Sequence, residues 1–397
     1  MRLVLITLVT ALILGMLADA YIWMALRSYL RRRVFANVHL VVSALMALLL
    51  VSIILMPVRT GSDDVLRVTM WMLYAYISVY VSKYLFVIVD ALSRLPMLWH
   101  RSRSRVCTGV GTALAVIVFL GMWYGALWGR WQTDVRYIEV PMQGLPKSFD
   151  GLRIAQISDL HVGTWGDDTT MVSRIVSQVN ALRPDLIVFT GDIVNRHSAE
   201  LQSFMPVLAR LHASYGVYSI MGNHDYGDYE DWPDAAAKAA DVSALKDMQK
   251  RMGWKMLNNE YDVLRNAQGD SLMLVGVENV GDPPFATYGD LTAAYPTPGD
   301  SAAKILLTHN PAHWERDILR HDEQKFALTL SGHTHAMQIE VLGLSPAVFR
   351  YRHWGGLYDE DPAHMLYVNI GVGTVGFPAR IGATPEITLL TLRSRHL

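Results

Sequence analysis

The sequence predicts a four-helix transmembrane region followed by a soluble α/β domain. Three observations lead there. Up to about Trp128 the chain is dominated by Leu, Val, Ala, Met and aromatic residues, whereas beyond Gln132 it reads as an ordinary water-soluble protein. Four apolar stretches in the first part are long enough to cross a bilayer, which takes roughly 20 residues of helix. In the second part, apolar runs of strand length alternate with helical patterns, as βαβ units do.

The four stretches are Leu3–Leu26, Val34–Met56, Val68–Val89 and Val106–Trp128. They show no polar face at helical spacing, as a soluble bundle would. The first has no small-residue cleavage site and three more follow it, so it reads as a span and not as a cleaved signal peptide. The loop after span one carries Arg27, Arg31, Arg32 and Arg33, and the loop after span three carries Arg94, Arg101, Arg103 and Arg105. Between spans two and three stand only Arg59 and Arg67, with Asp63 and Asp64 beside them. Basic loops stay in the cytoplasm, so both termini and the soluble domain are expected outside it, at a multi-pass cell-membrane protein.

Two charges fall inside spans, where they are costly unless paired or near an interface. Asp19 in span one and Lys83 in the parallel span three reach a similar depth at 1.5 Å per residue. An ion pair between them is one reading; separate snorkelling to the interface is the other.

Net charge is −1 over 397 residues, so no global field favours nucleic acid as a partner. The one cysteine, Cys107, excludes an internal disulfide and any thiolate-based metal site. It does not fix the redox compartment.

In the soluble half, Leu152–Ser158 is a strand candidate with Asp159 and His161 after it, and Leu186–Thr190 is followed by Gly191 and Asp192. Tyr215–Met221 delivers Gly222, Asn223, His224 and Asp225; Lys304–Thr308 delivers His309; Phe326–Ser331 delivers Gly332, His333, Thr334 and His335. Helical patterns lie around Thr170–Leu182 and Glu200–Leu211. In open α/β sheets ligands collect at the carboxyl ends of strands. Each cluster is weak alone: Asp-x-His is common, Gly-Asp is a frequent turn, and a lone histidine such as His309 is more often packed or on the surface. Five of them, each at a strand end, supply nearly every group that a dinuclear hydrolase needs. Their nitrogen and oxygen donors suit Mn²⁺, Fe or Zn²⁺ and do not choose among them.

The arrangement resembles the calcineurin-like metallophosphoesterase superfamily over about Leu145 to Leu392. The stretch from Gly151 to His161 resembles its membrane-associated bacterial branch, as do Trp354–Tyr358, Asn369–Gly373 and Pro385–Ile387. The resemblance implies a four-layer αββα sandwich with the site at the carboxyl ends of the central strands. Residue by residue it implies one metal on Asp159, His161, Asp192 and His335, and a second on Asp192 again with Asn223, His309 and His333. Asp192 would bridge two divalent ions, and a water between them would become a nucleophile at neutral pH. His224 matches the catalytic histidine that assists the leaving group, with a structural role as the alternative, and Asp225 would orient its ring.

The expected organisation is a membrane region over 1–130, a linker and first strand over 131–150, and the phosphoesterase domain over 151–397. The expected activity is hydrolysis of a phosphoester, with a lipid-linked or envelope phosphoester suggested by the anchoring. The alternatives are a metal-bound sensor that no longer turns over, or a metal-dependent nuclease; no basic stripe accompanies the site to favour the latter. Oligomeric state is not legible.

Four further features bear on the substrate. Many relatives in this branch carry two glycines after the final histidine, where this chain has Ala336 and Met337. Asn195, Arg196 and His197 follow Asp192 on the same loop, with Arg196 either a phosphate contact or a solvated loop arginine. Tyr226–Gly253 is an insertion with a helix candidate from Asp234 to Arg251. Val341–Tyr358 mixes aromatics with arginine, suited to a membrane interface or to a packed loop at the sheet edge. His212, His313, His321 and His364 match no ligand position.

Overall fold

A computed structural model describes residues 2–29, 33–95, 104–295, 303–319, 326–361 and 364–395. Arg31, Arg32, Arg101, Arg103 and His321 lie outside these residues. The chain divides into two compact units, one of 1–127 with 376–379 and one of 128–375 with 380–397.

The first unit is built on four helices, α1 (Arg2–Tyr29), α2 (Val34–Leu55), α3 (Asp63–Leu92) and α4 (Arg105–Leu127). All four are long and apolar enough to cross a membrane. Large apolar side chains such as Leu17, Val41, Leu48 and Ile117 point outward, each more than 60 % exposed. That surface is stable in lipid and not in water. Ser62 caps α3, accepting from the Val65 N–H. The helix runs past the expected end of span three to Asp90, which is buried and accepts from the Tyr21 hydroxyl at 2.8 Å.

The intramembrane charges are paired. Lys83 Nζ lies 2.7 Å from Asp19 Oδ1 and 3.2 Å from Ser43 Oγ, and the Tyr80 hydroxyl donates to Asp19 Oδ2 at 2.8 Å. The His39 ring adds a contact to the Asp19 carbonyl at 3.1 Å. Asp19 and Lys83 together thereby tie α1 to α2 and α3. Removing one partner leaves a buried charge alone, which costs about 3–5 kcal/mol. Asp19→Asn and Lys83→Met are each expected to lower the melting midpoint of the full chain, and the double variant to recover much of the loss. Strictly additive losses would show that the pair does not couple the helices.

The second unit contains two six-stranded sheets. The first has the order β1 (Asp134–Gln143), β12 (Glu386–Arg395), β2 (Arg153–Ile157), β3 (Leu186–Phe189), β4 (Val217–Ser219) and β5 (Lys255–Met256). The second has the order β10 (Gly356–Asp361), β11 (His364–Val368), β9 (Leu328–Ser331), β8 (Ala303–Leu307), β7 (Ser271–Gly276) and β6 (Glu260–Arg265). Neighbours β2, β3 and β4 are parallel, as are β7, β8 and β9. Nearly every residue of these strands is buried, as in strands covered on both sides.

Three apolar layers follow. Ile154, Leu186, Val188, Leu272, Ile305 and Leu330 pack between the sheets. On the outer face of the first, Ile157 and Phe189 meet α5 (Thr170–Ala181) and α7 (Ala235–Arg251) through Ile175, Val179, Leu245 and Met248. On the outer face of the second, Val275 and Leu306 meet Trp314 and Ile318. This is the expected helix–sheet–sheet–helix arrangement.

The helix expected over Glu200–Leu211 is broken into a 3₁₀ turn, Ser198–Leu201, and one short turn of helix, Met205–Leu208, here α6. Pro206 stands at its start, where its missing N–H costs nothing, and it cannot sit inside a longer helix. Leu201, Phe204 and Leu208 still bury the apolar stripe that suggested the helix. In the insertion, α7 begins after Asp234, whose carboxylate accepts from the Ala237 N–H at 2.8 Å.

Candidate metal centre

The ligand candidates come from the carboxyl ends of strands in both sheets. Asp159 and His161 follow β2, Asp192 follows β3, and Asn223 and His224 follow β4; His309 follows β8, and His333 and His335 follow β9. The loops are laced together by backbone bonds, Asp159 N to the Gly191 carbonyl at 2.9 Å, His161 N to the Asp192 carbonyl at 3.2 Å and Gly332 N to the His309 carbonyl at 3.0 Å. Gln156 joins the two sheets behind the site, its amide donating to the Ser331 carbonyl at 2.9 Å. Asp159, His161, Asp192, His333 and His335 all hold positive φ, between 44° and 77°. Such backbone is sparsely populated for these residue types and persists where the surroundings impose it. Glycine is required at position 222, where a Cβ would stand 2.2 Å from Asp192 Oδ1.

All seven sequence-derived ligands converge. Asp159, His161 and His335 form one group; Asp192, His309 and His333 form another; His161, Asp192 and His224 link them. Asp192 Oδ2 lies 3.2 Å from His309 Nε2 and 3.5 Å from His161 Nε2, so one carboxylate oxygen faces both groups. His335 Nε2 is 3.2 Å from Asp159 Oδ1 and 3.1 Å from His161 Nε2. His333 Nδ1 and Asn223 Oδ1 stand 3.2 and 3.1 Å from His309 Nε2. Two pairs of imidazole nitrogens this close in a buried pocket suit a cation held between them.

Tautomers are set from outside. His309 Nδ1 donates to the Thr190 carbonyl at 2.8 Å, which turns Nε2 toward Asp192; ligating histidines are commonly held this way. The Asn223 amide donates to the Tyr229 hydroxyl at 2.9 Å, which turns its oxygen inward. Arg380, buried, braces the His335 ring with Nη2 at 3.1 Å from Nδ1.

The electrostatics are those of a cation site. Burial disfavours a charge on Asp192, yet His309 and His224 outweigh it and hold the carboxyl well below the usual range. Asp159 is held low in the same way, chiefly by His335. Burial, then the neighbouring histidines, push His161 and His333 down, His333 to about 3. Burial also opposes charge on His309, but the Asp192 carboxylate lifts it to about 9. The ionised carboxylates and the neutral His161 and His333 are already in ligand form, and His309 would give up a proton when a cation binds.

His224 stands at the open side of the site, partly exposed, its ring stacked on Tyr229 with centroids 4.1 Å apart. Its Nδ1 donates to the Asn195 carbonyl at 2.7 Å. Asp225 does not orient this ring, contrary to the expectation from sequence. Its carboxylate accepts from the backbone N–H groups of Gly222, Asp192 and Ile193, each at 2.9 Å, and of Val194 at 3.3 Å. It therefore fixes the loop that carries Asp192. Burial and the nearby Asp192 push the Asp225 carboxyl up to about 7 against the pull of those N–H groups.

Arg196 is neither solvated nor turned to a phosphate. It is buried and pairs with Glu230 at 3.0 Å, tying the loop after Asp192 to the insertion after His224. Glu200 holds the same loop through the Asn195 and Arg196 N–H groups, at 2.6 and 3.0 Å. Reading the sequence missed Tyr229 and Arg380; Tyr351, within the aromatic run, places its hydroxyl 3.0 Å from His333 Nε2. Spacing carries no signal for any of the three.

Ala336 and Met337, where the family resemblance implies glycines, lie at φ 50° and 46°. Left-handed backbone costs a non-glycine residue about 1–2 kcal/mol. Met337 is 38 % exposed and has little packing to lose. Met337→Gly is expected to raise the melting midpoint, a gain of up to about 1 kcal/mol after the added chain entropy of glycine. A fall would mean that the Met337 side chain contributes more than its conformation costs.

Residues 152–337 match the family described as calcineurin-like phosphoesterase. A transmembrane protein with metallophosphoesterase domain from Danio rerio is 32 % identical over 333 residues, 81 % of this chain and 72 % of that one. The uncharacterized metallophosphoesterase YkuE of Bacillus subtilis (strain 168) is 31 % identical over 261 residues, 64 % of this chain and 82 % of its own. The chain belongs to the calcineurin-like metallophosphoesterases. Its membrane region has a family of its own: residues 1–130 match the four-helix domain described as that of a probable calcineurin-like phosphoesterase, transmembrane domain. Among solved structures, the phosphopantetheinyl hydrolase PptH of Mycobacterium tuberculosis aligns at TM-score 0.32 and 14 % identity, over 58 % of this chain and 91 % of that one; so distant a likeness says nothing of substrate.

Proposed function

We propose that this protein is a membrane-anchored phosphoester hydrolase holding two divalent ions, Mn²⁺, Fe or Zn²⁺. Asp159, His161 and His335 would take one, Asn223, His309 and His333 the other, and Asp192 both. The observation that carries this is Asp192 Oδ2 standing 3.2 and 3.5 Å from histidines of the two groups. When bound, the ions would supply Lewis-acid charge and a water activated for attack on phosphorus at neutral pH.

The chain's own groups do the rest. The open side, at Asn223, His224 and His333, admits the ester, while the deeper ligands stay sealed from solvent. His224, with Nδ1 committed to the Asn195 carbonyl, presents Nε2 to the leaving oxygen as a proton donor. Such a group contributes typically about 10²–10⁴-fold. Residues 131–150 serve as linker and first strand, and 151–397 as the catalytic domain. That domain faces away from the cytoplasm, on the strength of the arginine-rich loops, and its substrate is a lipid-linked or envelope phosphoester. A cytoplasm-only reporter fused after Leu397 should stay silent; activity would reverse the orientation.

The direct test is hydrolysis of chromogenic phosphomonoesters and phosphodiesters by the purified full chain, with metal content measured in parallel. Turnover should vanish with chelator and return with one of the three metals. Tightly held metal with no turnover on either ester class would favour the sensor reading.

A further inference from the structure

The loop after the final histidine carries an apolar surface that the catalytic reading does not use. From Val341 to Phe349 it holds no charged residue. Val341 and Leu344 pair in a tight turn, with Leu342 and Gly343 at its tip in left-handed backbone. Leu342 is 98 % exposed, Phe349 93 % and Leu344 74 %, with Val341 and Val348 more than half exposed. A soluble surface does not collect five large apolar side chains within nine residues unless something apolar covers them.

We infer that this loop is a second point of attachment to the membrane, dipping its tip into the lipid surface. A bilayer is the one apolar phase this chain is certain to meet, because its own four helices hold it there. Only six residues separate the end of α4 at Leu127 from the start of β1 at Asp134, a reach of at most about 20 Å. Arg350 and Arg352 follow the apolar run, paired with Asp282 at 2.8 Å and Glu360 at 3.3 Å, and with side chains 50 % and 72 % exposed they stay open to a lipid phosphate once the tip is immersed. The turn is compact and apolar and arginines follow it, an order that suits an interfacial segment. Its packing is anchored at both ends. Ser345 Oγ donates to the Ala336 carbonyl at 2.6 Å, and His353 is held between Glu315 at 2.6 Å and Glu360 at 3.1 Å. Both ends also reach the metal centre, through His335 and through the Tyr351 contact to His333.

The test uses the full chain in nanodiscs of phosphatidylcholine and phosphatidylglycerol. Cys107→Ser removes the native thiol, and Leu342→Cys carries an environment-sensitive fluorophore; Gln268→Cys, in the exposed β6–β7 turn, is the reference. The probe at 342 is expected to shift to the blue and to lose most of its emission when nitroxide-labelled lipid is included, while the probe at 268 does neither. Phe349→Asp with Leu344→Asp should abolish the quenching at 342, with the melting midpoint showing that the variant is folded. A probe at 342 that stays water-like, or shifts without lipid quenching because a protein covers it, overturns the inference. The readout needs neither bound metal nor turnover, so it stands or falls apart from the hydrolase proposal.

Discussion

Asp192→Asn should reduce metal-dependent phosphoester hydrolysis by at least about a hundredfold and leave the chain folded. The substitution keeps shape and volume, and the side-chain oxygen can still accept from the His224 N–H as Asp192 Oδ1 does at 2.8 Å. What changes is the atom facing His309 Nε2 and His161 Nε2. A carboxylate oxygen that can serve two cations becomes an amide NH₂ that serves none. Outer partners of metal ligands already cost about 10–100-fold when removed, so a carboxylate proposed to serve two ions should cost no less than the top of that range. Metal analysis on the same sample should show loss from both positions. Retained turnover with full metal content would remove Asp192 from the bridging role and with it the two-ion reading.

Asp225→Ala should act differently, through the fold. Four backbone N–H groups would lose their acceptor in a buried loop. Each orphaned donor costs about 1–3 kcal/mol, and even with relaxation the total should reach about 3–5 kcal/mol. A large drop in melting midpoint, with metal lost from a loosened Asp192 loop, is the expected result. His224→Ala is the contrast: turnover should fall by about 10²–10⁴-fold with little change in melting. If Asp225→Ala melts like the parent chain and loses only turnover, the carboxylate acts on the His224 ring after all, and the structural role assigned to it here is wrong.

The difference between those two residues marks where the sequence stops being legible. His224 and Asp225 are neighbours, and a carboxylate beside a working imidazole is a familiar pairing, so the sequence suggests that one serves the other. The Asp225 oxygens are instead turned to main-chain N–H groups, which leave no mark in residue types. The convergence of the candidate ligands was legible for the opposite reason. Each follows a buried run such as Leu186–Phe189 or Leu328–Ser331, and strand ends in parallel sheets gather polar groups in one place. The spans were legible from composition, and the Asp19–Lys83 pair from depth. The left-handed backbone under Asp159, Asp192 and His335 was not, since it is imposed by surroundings from two sheets. Arg196 misled because exposure was inferred from a loop position, while its partner Glu230 lies on an insertion whose course only the fold reveals.

The ligands reach the centre from both sheets, with Asp159, His161, Asp192 and Asn223 on one side and His309, His333 and His335 on the other. Bound ions would therefore act as a clasp between two layers as well as a chemical tool. Stripping them should slacken the rim where the layers meet, well before the apolar interior gives way, and backbone exchange with deuterated solvent would register it there first.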